Sequence, residues 1–252
     1  MLDLRGSQQI VTPEAVIFDT DNTLYPYEPA HKAAIKSVAI KTEELFGVSE
    51  SDFMEAFKIS RTEVKKRLKN TASSHSRLLY FQRTIEHLDM GTRILTTLDL
   101  EQTYWRTFFA NARLFPGVKE FLQELKNHGV KTANITDLTS QIQFRKMVYF
   151  GLDEYFDYVV TSEESGVDKP NPLCFEIALE KIGLPSSSKI WMIGDDHESD
   201  IKGGNSFGLT TLHKVDRLSL NDNTADIIFD NFNHLCKFYS SFIVPQQIKT
   251  TI

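Results

Sequence analysis

The sequence predicts an α/β protein: a parallel sheet covered on both faces by helices, with an all-helical insertion near its start. Three observations carry this. Short apolar runs alternate with helical stretches from Val118 toward the C-terminal region, the pattern of a parallel sheet whose crossovers are helices. From Ala30 to about Arg113 the periodicity is helical, enough for about four helices. An isolated strand-like run, Ala15 to Phe18, precedes that stretch, so its partners must come from beyond the insertion.

The first run is apolar and bracketed by turn formers, Thr12 and Pro13 before it and Asn22 and Pro26 after it, which reads as a buried strand. Asp19 and Asp21 follow at its C-terminal end, the edge at which open α/β sheets bind ligands. Carboxylates that close repel, and a chain without a use for both would rarely keep them. In the insertion, Ile35, Val38, Thr42, Leu45 and Phe46 form one apolar stripe and Phe53, Phe57, Val64 and Leu68 another. Further helical stretches run from Arg77 to Leu88 and from Leu98 to Ala112. After "LFPGV" the reading is helix 118–127, strand 130–135, helix 139–149, strand 156–160, helix 172–182, strand 190–193 and helix 199–207. Short strands at 210–212 and 227–229 and a helix near 233–238 complete it, and the tail "PQQIKTTI" is expected to be loose. The expected domains are a core from 1–25 and 114–252 and a helical cap from 26–113, placed to open and close over the aspartates.

Composition narrows the function. At 41% hydrophobic residues the chain can bury a packed interior and is not disordered. No apolar run approaches the roughly 20 residues of a membrane span, and the first residues carry no apolar stretch of signal-peptide length, so a cytoplasmic protein without membrane partners is expected. Cys174 and Cys236 make no metal-ligand spacing, and two thiols in 252 residues fit a reducing compartment. The net charge of −6 argues against general nucleic-acid binding. The charge is uneven, with 14 Lys and Arg against 11 Asp and Glu between Pro26 and Arg113, and 14 against 23 elsewhere. A basic module over an acidic one suits a metal on one side and an anionic substrate between them.

Three more strand ends carry polar residues. Ile135 is followed by Thr136 and Asp137, Thr161 leads to "ESGVDKPNP", and Ile193 is followed by "GDDHESD". Phosphoryl transfer accounts for all of them, because a phosphate monoester dianion needs a nucleophile, a divalent cation, a hydroxyl or amide for an oxygen, and a fixed positive charge. Asp19, Mg²⁺ supported by Asp195, Thr136 and Lys169 would supply these in turn, hard oxygen ligands being what Mg²⁺ prefers. Each residue alone has an ordinary structural use, as a turn, a helix cap or a surface charge; their joint placement at successive strand ends carries the reading.

In that order, "DTDNT", "NIT", "DKPNP" and "GDDHESD" resemble the four motifs of the haloacid dehalogenase-like hydrolase superfamily over nearly the whole chain. The resemblance implies a Rossmann-like, doubly wound core with a helical cap of the first subclass, similar to phosphoglycolate phosphatases. By motif matching Asp19 would be the nucleophile that becomes an aspartyl-phosphate, and Asp21 the general acid and then base. Thr136 would bind phosphate and Lys169 stabilise charge. Asp195 would hold Mg²⁺ beside Asp19 and the main-chain carbonyl of Asp21, with Asp200 supporting the metal or Lys169. Thr23 would orient the nucleophile loop and, with Asp137, border the substrate. Thr20 stands where the family commonly has an apolar residue, and Asp196 and His197 add polarity beside the metal.

The function expected is an Mg²⁺-dependent phosphatase of a small phosphorylated metabolite, acting as a monomer or homodimer. A sugar phosphomutase similar to the β-phosphoglucomutases would share every core residue, and a catalytically silent binding protein would share the fold. A metal-free dehalogenase fits less well, because it lacks the second aspartate. For the substrate, Tyr25 and Tyr27 at the cap hinge, and His75 and Arg77 in "SSHSRLLYFQ", are the candidates, Arg77 for a second anionic group. The stripe Arg61, Lys65, Lys69 reads as a solvated helix face.

Overall fold

The computed structural model describes residues 2–5, 10–216 and 224–247. Strand β1 (Leu2–Leu4) is followed by β2 (Ala15–Phe18) and then by the cap helices α1 (Tyr27–Phe46), α2 (Glu50–Leu68), α3 (Arg77–His87) and α4 (Ile94–Asn111), with a single 3₁₀ turn at Ala72–His75. Helix α5 (Val118–Asn127) returns the chain to the core. There β3 (Lys131–Thr136), α6 (Ser140–Phe150), β4 (Tyr158–Thr161), the short α7 (Ser162–Ser165), α8 (Pro172–Ile182) and β5 (Ile190–Gly194) alternate. A π-helical turn (His197–Ile201), α9 (Lys202–Ser206), β6 (Thr210–Lys214), β7 (Ile227–Phe229) and α10 (Phe232–Gln247) complete the chain.

The seven strands form one sheet in the order β1-β7-β6-β5-β2-β3-β4, parallel except for β1 against β7. Strand β2 is central: Phe18 lies opposite Asn134 of β3 and Ile193 of β5, so Asp19 leaves the sheet beside the ends of both neighbours. Along β2 the side chains alternate between two cores, as period-two geometry requires. Val16 and Phe18 pack with Phe121, Leu122 and Tyr239, and Ala15 and Ile17 with Phe175, Ala178 and Ile182. All four are fully buried.

The helices end where their sequences provide stops. Asn171 caps α8 by accepting the Leu173 N–H, with Pro172 in the first turn and Gly183 in the left-handed conformation after it. Ser49 accepts the Asp52 N–H at the start of α2. In the cap, α1 packs on α4 and α2 on α3, burying Ile35, Val38, Thr42, Phe53, Phe57 and Val64. Burial on α1 stops at Thr42, and Leu45, expected on that stripe, is exposed.

Three expectations need correction. Strand β1 has no counterpart in the sequence reading, because three residues show no periodicity and their partner lies at the far end of the chain. The stretch 199–207 is not one helix but a π-helical turn running into a five-residue helix. The last helix runs to Gln247, so Pro245 to Gln247 are helical; the remainder of the tail lies outside the described residues.

Candidate active site

The site sits at the C-terminal edge of β2, β3 and β5, under the cap. Asp19 prolongs β2 by one hydrogen bond, its N–H donating to the Ile193 carbonyl at 2.9 Å. Both of its carboxylate oxygens are held: Oδ1 accepts from Lys169 Nζ at 2.6 Å and Oδ2 from Thr23 Oγ1 at 2.9 Å. Thr23 Oγ1 also lies 3.2 Å from Asp195 Oδ1 and is fully buried, so it joins the two carboxylates and presents no face to a substrate. Asn22 adopts a left-handed backbone at φ 61°, which Asn tolerates, and its Oδ1 accepts the Tyr27 N–H at 3.0 Å. That turn aims the chain into α1.

Lys169 is buried between carboxylates. Its Nζ donates to Asp19, to Asp200 Oδ1 at 2.8 Å and to the Ile135 carbonyl at 3.2 Å. Burial alone would favour the neutral amine, but the charges of Asp19, Asp200 and Asp137 outweigh it and raise the pKa well above the ordinary lysine value. Asp137 Oδ1 accepts the Lys169 N–H at 2.8 Å, fixing the backbone that carries the ammonium, and Thr136 closes β3 beside it, nearly buried. Asp200 accepts the Asp196 N–H through its second oxygen at 3.1 Å, while Asp196 caps the next turn by accepting the N–H groups of Glu198 and Ser199.

Gly194 explains the first letter of "GDDHESD". A Cβ there would lie 2.2 Å from Asp200 Oδ2, so only glycine lets the carboxylate approach the end of β5. The π-helical turn turns Asp200 inward, a use such turns often serve at functional sites.

Asp19, Asp195 and Asp200 each offer an oxygen within 4.8 Å of the others. Burial, then the charges of Asp19 and Asp200, push the Asp195 carboxyl up to about 8. Asp200 is also raised, chiefly by burial and by Asp19 against the opposing pull of Lys169. A buried all-oxygen set short of positive charge is what a hard divalent cation fits.

Asp21 lies one side chain away from this cluster and has its own partners. Its Oδ1 accepts from Tyr25 OH at 2.6 Å and from Lys146 Nζ at 2.5 Å. Burial would raise its pKa, but Lys146, by charge and hydrogen bond, and Tyr25 together bring it below the usual aspartate value. Lys146 was not anticipated. It is fully buried on the stripe of α6 that also carries Ile142, Gln143, Met147 and Phe150, and the signal available was two polar residues on a buried helix face. Gln143 Nε2 reaches Thr20 Oγ1 at 2.9 Å and Asn134 Oδ1 at 2.8 Å, while Asn134 Nδ2 donates to the Phe18 carbonyl at 2.9 Å. Thr20, the departure from the usual motif, thus belongs to a buried polar network that ties the Asp19–Thr23 loop to β3 and α6.

The cap residues divide. Tyr25, a substrate candidate at the hinge, is instead fully buried against Phe108 and Phe150, and only its hydroxyl reaches the site, at Asp21. Tyr27, His75 and Arg77 line a cavity of about 180 Å³ together with Asp21, Asn22 and Asp137. Arg61 and Lys65 line it too, so these two members of the stripe expected to be solvated face the cleft. His75 Nε2 lies 3.0 Å from Asp168 Oδ2, and the Asp168 N–H donates to the Asn70 carbonyl at 3.0 Å; cap and core therefore meet at the residue before Lys169. His31, also unanticipated, holds the Tyr104 hydroxyl at 2.8 Å, and burial with the nearby Arg77 brings it down to about 4.

A family model described as haloacid dehalogenase-like hydrolase matches residues 13–208. The chain belongs to the haloacid dehalogenase-like hydrolases. Among its relatives in this hydrolase family, a ribulose-1,5-bisphosphate 5-phosphatase from Halopiger xanaduensis is 40% identical over 79% of this chain and 83% of its own length. A glyceraldehyde 3-phosphate phosphatase from Methanopyrus kandleri is 30% identical over 79% and 82%. Among solved haloacid dehalogenase-like structures, a phosphatase from Thermococcus onnurineus superposes with a TM-score of 0.68 at 24% identity, over 89% of this chain and 96% of that one. The hydrolase YfnB from Bacillus subtilis gives 0.68 at 20%, over 92% and 100%. Both share its fold.

Proposed function

We propose that the chain removes phosphate from small phosphorylated sugars with Mg²⁺ bound by Asp19, Asp195 and the main-chain carbonyl of Asp21, Asp200 supporting the set. The enzyme is an Mg²⁺-dependent phosphatase that works through an aspartyl-phosphate. The observation that carries the reading is the Asp19 carboxylate, held on one oxygen by Lys169 and on the other by Thr23, with a second aspartate two residues on. Relatives named for phosphorylated C5 and C3 sugar substrates over most of the chain support the substrate class.

When bound, the cation would neutralise the carboxylate cluster and the incoming phosphate. Asp19 attacks phosphorus, the bond to the sugar oxygen breaks, and Lys169 offsets the charge that gathers on the transferring group. Thr136, at the end of β3, holds a phosphate oxygen. Asp21 is placed to protonate the departing oxygen once it has taken up a proton against the pull of Lys146, and as carboxylate it accepts one from the water that hydrolyses the aspartyl-phosphate. The ion pair with Lys146 favours the carboxylate, the form required by the second half-reaction. The same reading places the enzyme in the cytoplasm as a monomer or homodimer; among the described residues no helix is long and apolar enough to cross a membrane.

The test is phosphate release from a panel of sugar phosphates, with Mg²⁺ and with excess chelator. Cation-dependent release from a C3 to C6 sugar phosphate is expected. Transfer of phosphate between sugar positions without release would make the enzyme a mutase, and undiminished activity in chelator would remove the metal from the proposal.

A further inference from the structure

We propose that Arg61, Lys65 and Arg77 form a second anion-binding subsite, so that the substrate is a small phosphomonoester carrying another phosphate or carboxylate. The inference rests on the phosphatase reading above and names the substrate class of that same cleft. Arg61 and Lys65 lie one turn apart on α2, and Arg77 opens α3. All three border the same 180 Å³ cavity, whose core side is formed by Asp21, Asn22 and Asp137.

Among the described residues Arg61, Lys65 and Arg77 are without the carboxylate partner that several other buried or half-buried cations of this chain have. Lys41, Arg83, Lys146, Lys169 and Lys181 each pair with a carboxylate. Among the described residues no salt bridge involves Arg61, Lys65 or Arg77, although Lys65 and Arg77 are half-buried. Like charges gathered in a partly desolvated cleft repel one another, and an anion is what relieves them. Burial and the charges of Arg61 and Arg77 accordingly lower the Lys65 pKa, against a smaller opposing pull from Asp168.

Arg77 is also held still. It donates to the hydroxyls of Tyr27 and Tyr104 and to the His75 carbonyl, and its guanidinium carbon lies 5.4–5.9 Å from the ring centroids of Tyr27, Tyr80, Tyr104 and Trp105. Three of its five N–H donors are engaged in these bonds, and two are left for a ligand. A rigid donor of this kind binds an anion with little loss of side-chain freedom. The cleft is thus polarised: Asp21 and Asp137 stand on its core side, where the reacting phosphate enters, and the three cations stand on its cap side to receive a second anion.

Two matched pairs of probes test this: ribulose 1,5-bisphosphate against ribulose 5-phosphate, and 3-phosphoglycerate against glycerol 3-phosphate, each pair differing in the second anion. In the wild-type enzyme, kcat/KM should favour the doubly anionic member of at least one pair by tenfold or more. Which pair responds identifies phosphate or carboxylate. R61M and K65M should each collapse that ratio toward one, mainly through KM, and R61K and K65R should restore most of it. Equal kcat/KM within both pairs, or variants that lower both members equally, would overturn the subsite while leaving the phosphatase intact. Silence toward all four and toward p-nitrophenyl phosphate would overturn the phosphatase reading and the subsite with it.

Discussion

Removing the two partners of the Asp21–Lys146 pair should have unequal consequences. The Lys146 side chain is 1% exposed, whereas that of Asp21 is 35% exposed. D21A strands a buried ammonium and leaves the fully buried Tyr25 hydroxyl without its acceptor, and breaking a buried pair in this way costs about 3–5 kcal/mol. K146M leaves a carboxylate that still accepts from Tyr25 and can reach water, and methionine fills most of the vacated volume, so the loss should be about 1 kcal/mol. The double variant removes both charges and should recover about 2 kcal/mol relative to D21A. Urea unfolding in excess chelator measures all three, with the midpoints converted at a common slope. In thermal melts D21A should fall by roughly 6–20 °C, at about 2–4 °C per kcal/mol for a chain of this size. Equal losses, or a double variant no better than D21A, would refute the idea that the stranded lysine dominates.

Other outcomes follow from the same geometry. D19N should abolish turnover while the protein stays folded, because the amide cannot attack phosphorus; turnover near wild type in a fixed-time phosphate assay would remove Asp19 as nucleophile. D195A should weaken Mg²⁺ binding in calorimetry rather than lower stability in chelator. The raised carboxyls of Asp195 and Asp200 bind protons more tightly folded than unfolded, so metal-free stability should fall as pH rises from about 4 to about 8, and saturating Mg²⁺ should flatten that slope; a metal-free stability that rises across the window would contradict this. G194A should displace Asp200 and, through it, Lys169, lowering kcat by tenfold or more with little change in KM; a G194A enzyme as active as wild type would mean that Asp200 is not needed where it stands.

Much of this was legible in the sequence because the signals were local. Ala15–Phe18, Val118–Asn127 and Pro172–Ile182 form the elements read from them, each marked by an apolar run, a stop or a cap within a few residues. The strand-end motifs converge because the order of the sheet sets β5, β2 and β3 side by side. What escaped depends on distance in the chain. Lys146 meets Asp21 across 125 positions, and nothing near "FRKMV" says which turn of α6 will face the Asp19–Thr23 loop. Thr20 looked like a departure from a motif until Asn134 and Gln143 supplied its partners. Arg61 and Lys65 share helical spacing with exposed Lys69, and periodicity cannot say where along a stripe the cleft begins.

The bond between the Asn70 carbonyl and the Asp168 N–H has a mechanical consequence. Asp168 precedes Lys169, so the cap grips the backbone of the segment that carries the Lys169 ammonium. Any outward swing of this corner of the cap must break that bond and the His75 contact to Asp168. The same swing then unloads the segment on which Lys169 sits. A displacement of the cap and a loosening of the Lys169 contact to Asp19 would in this way be two ends of one lever, with its fulcrum at Asp168.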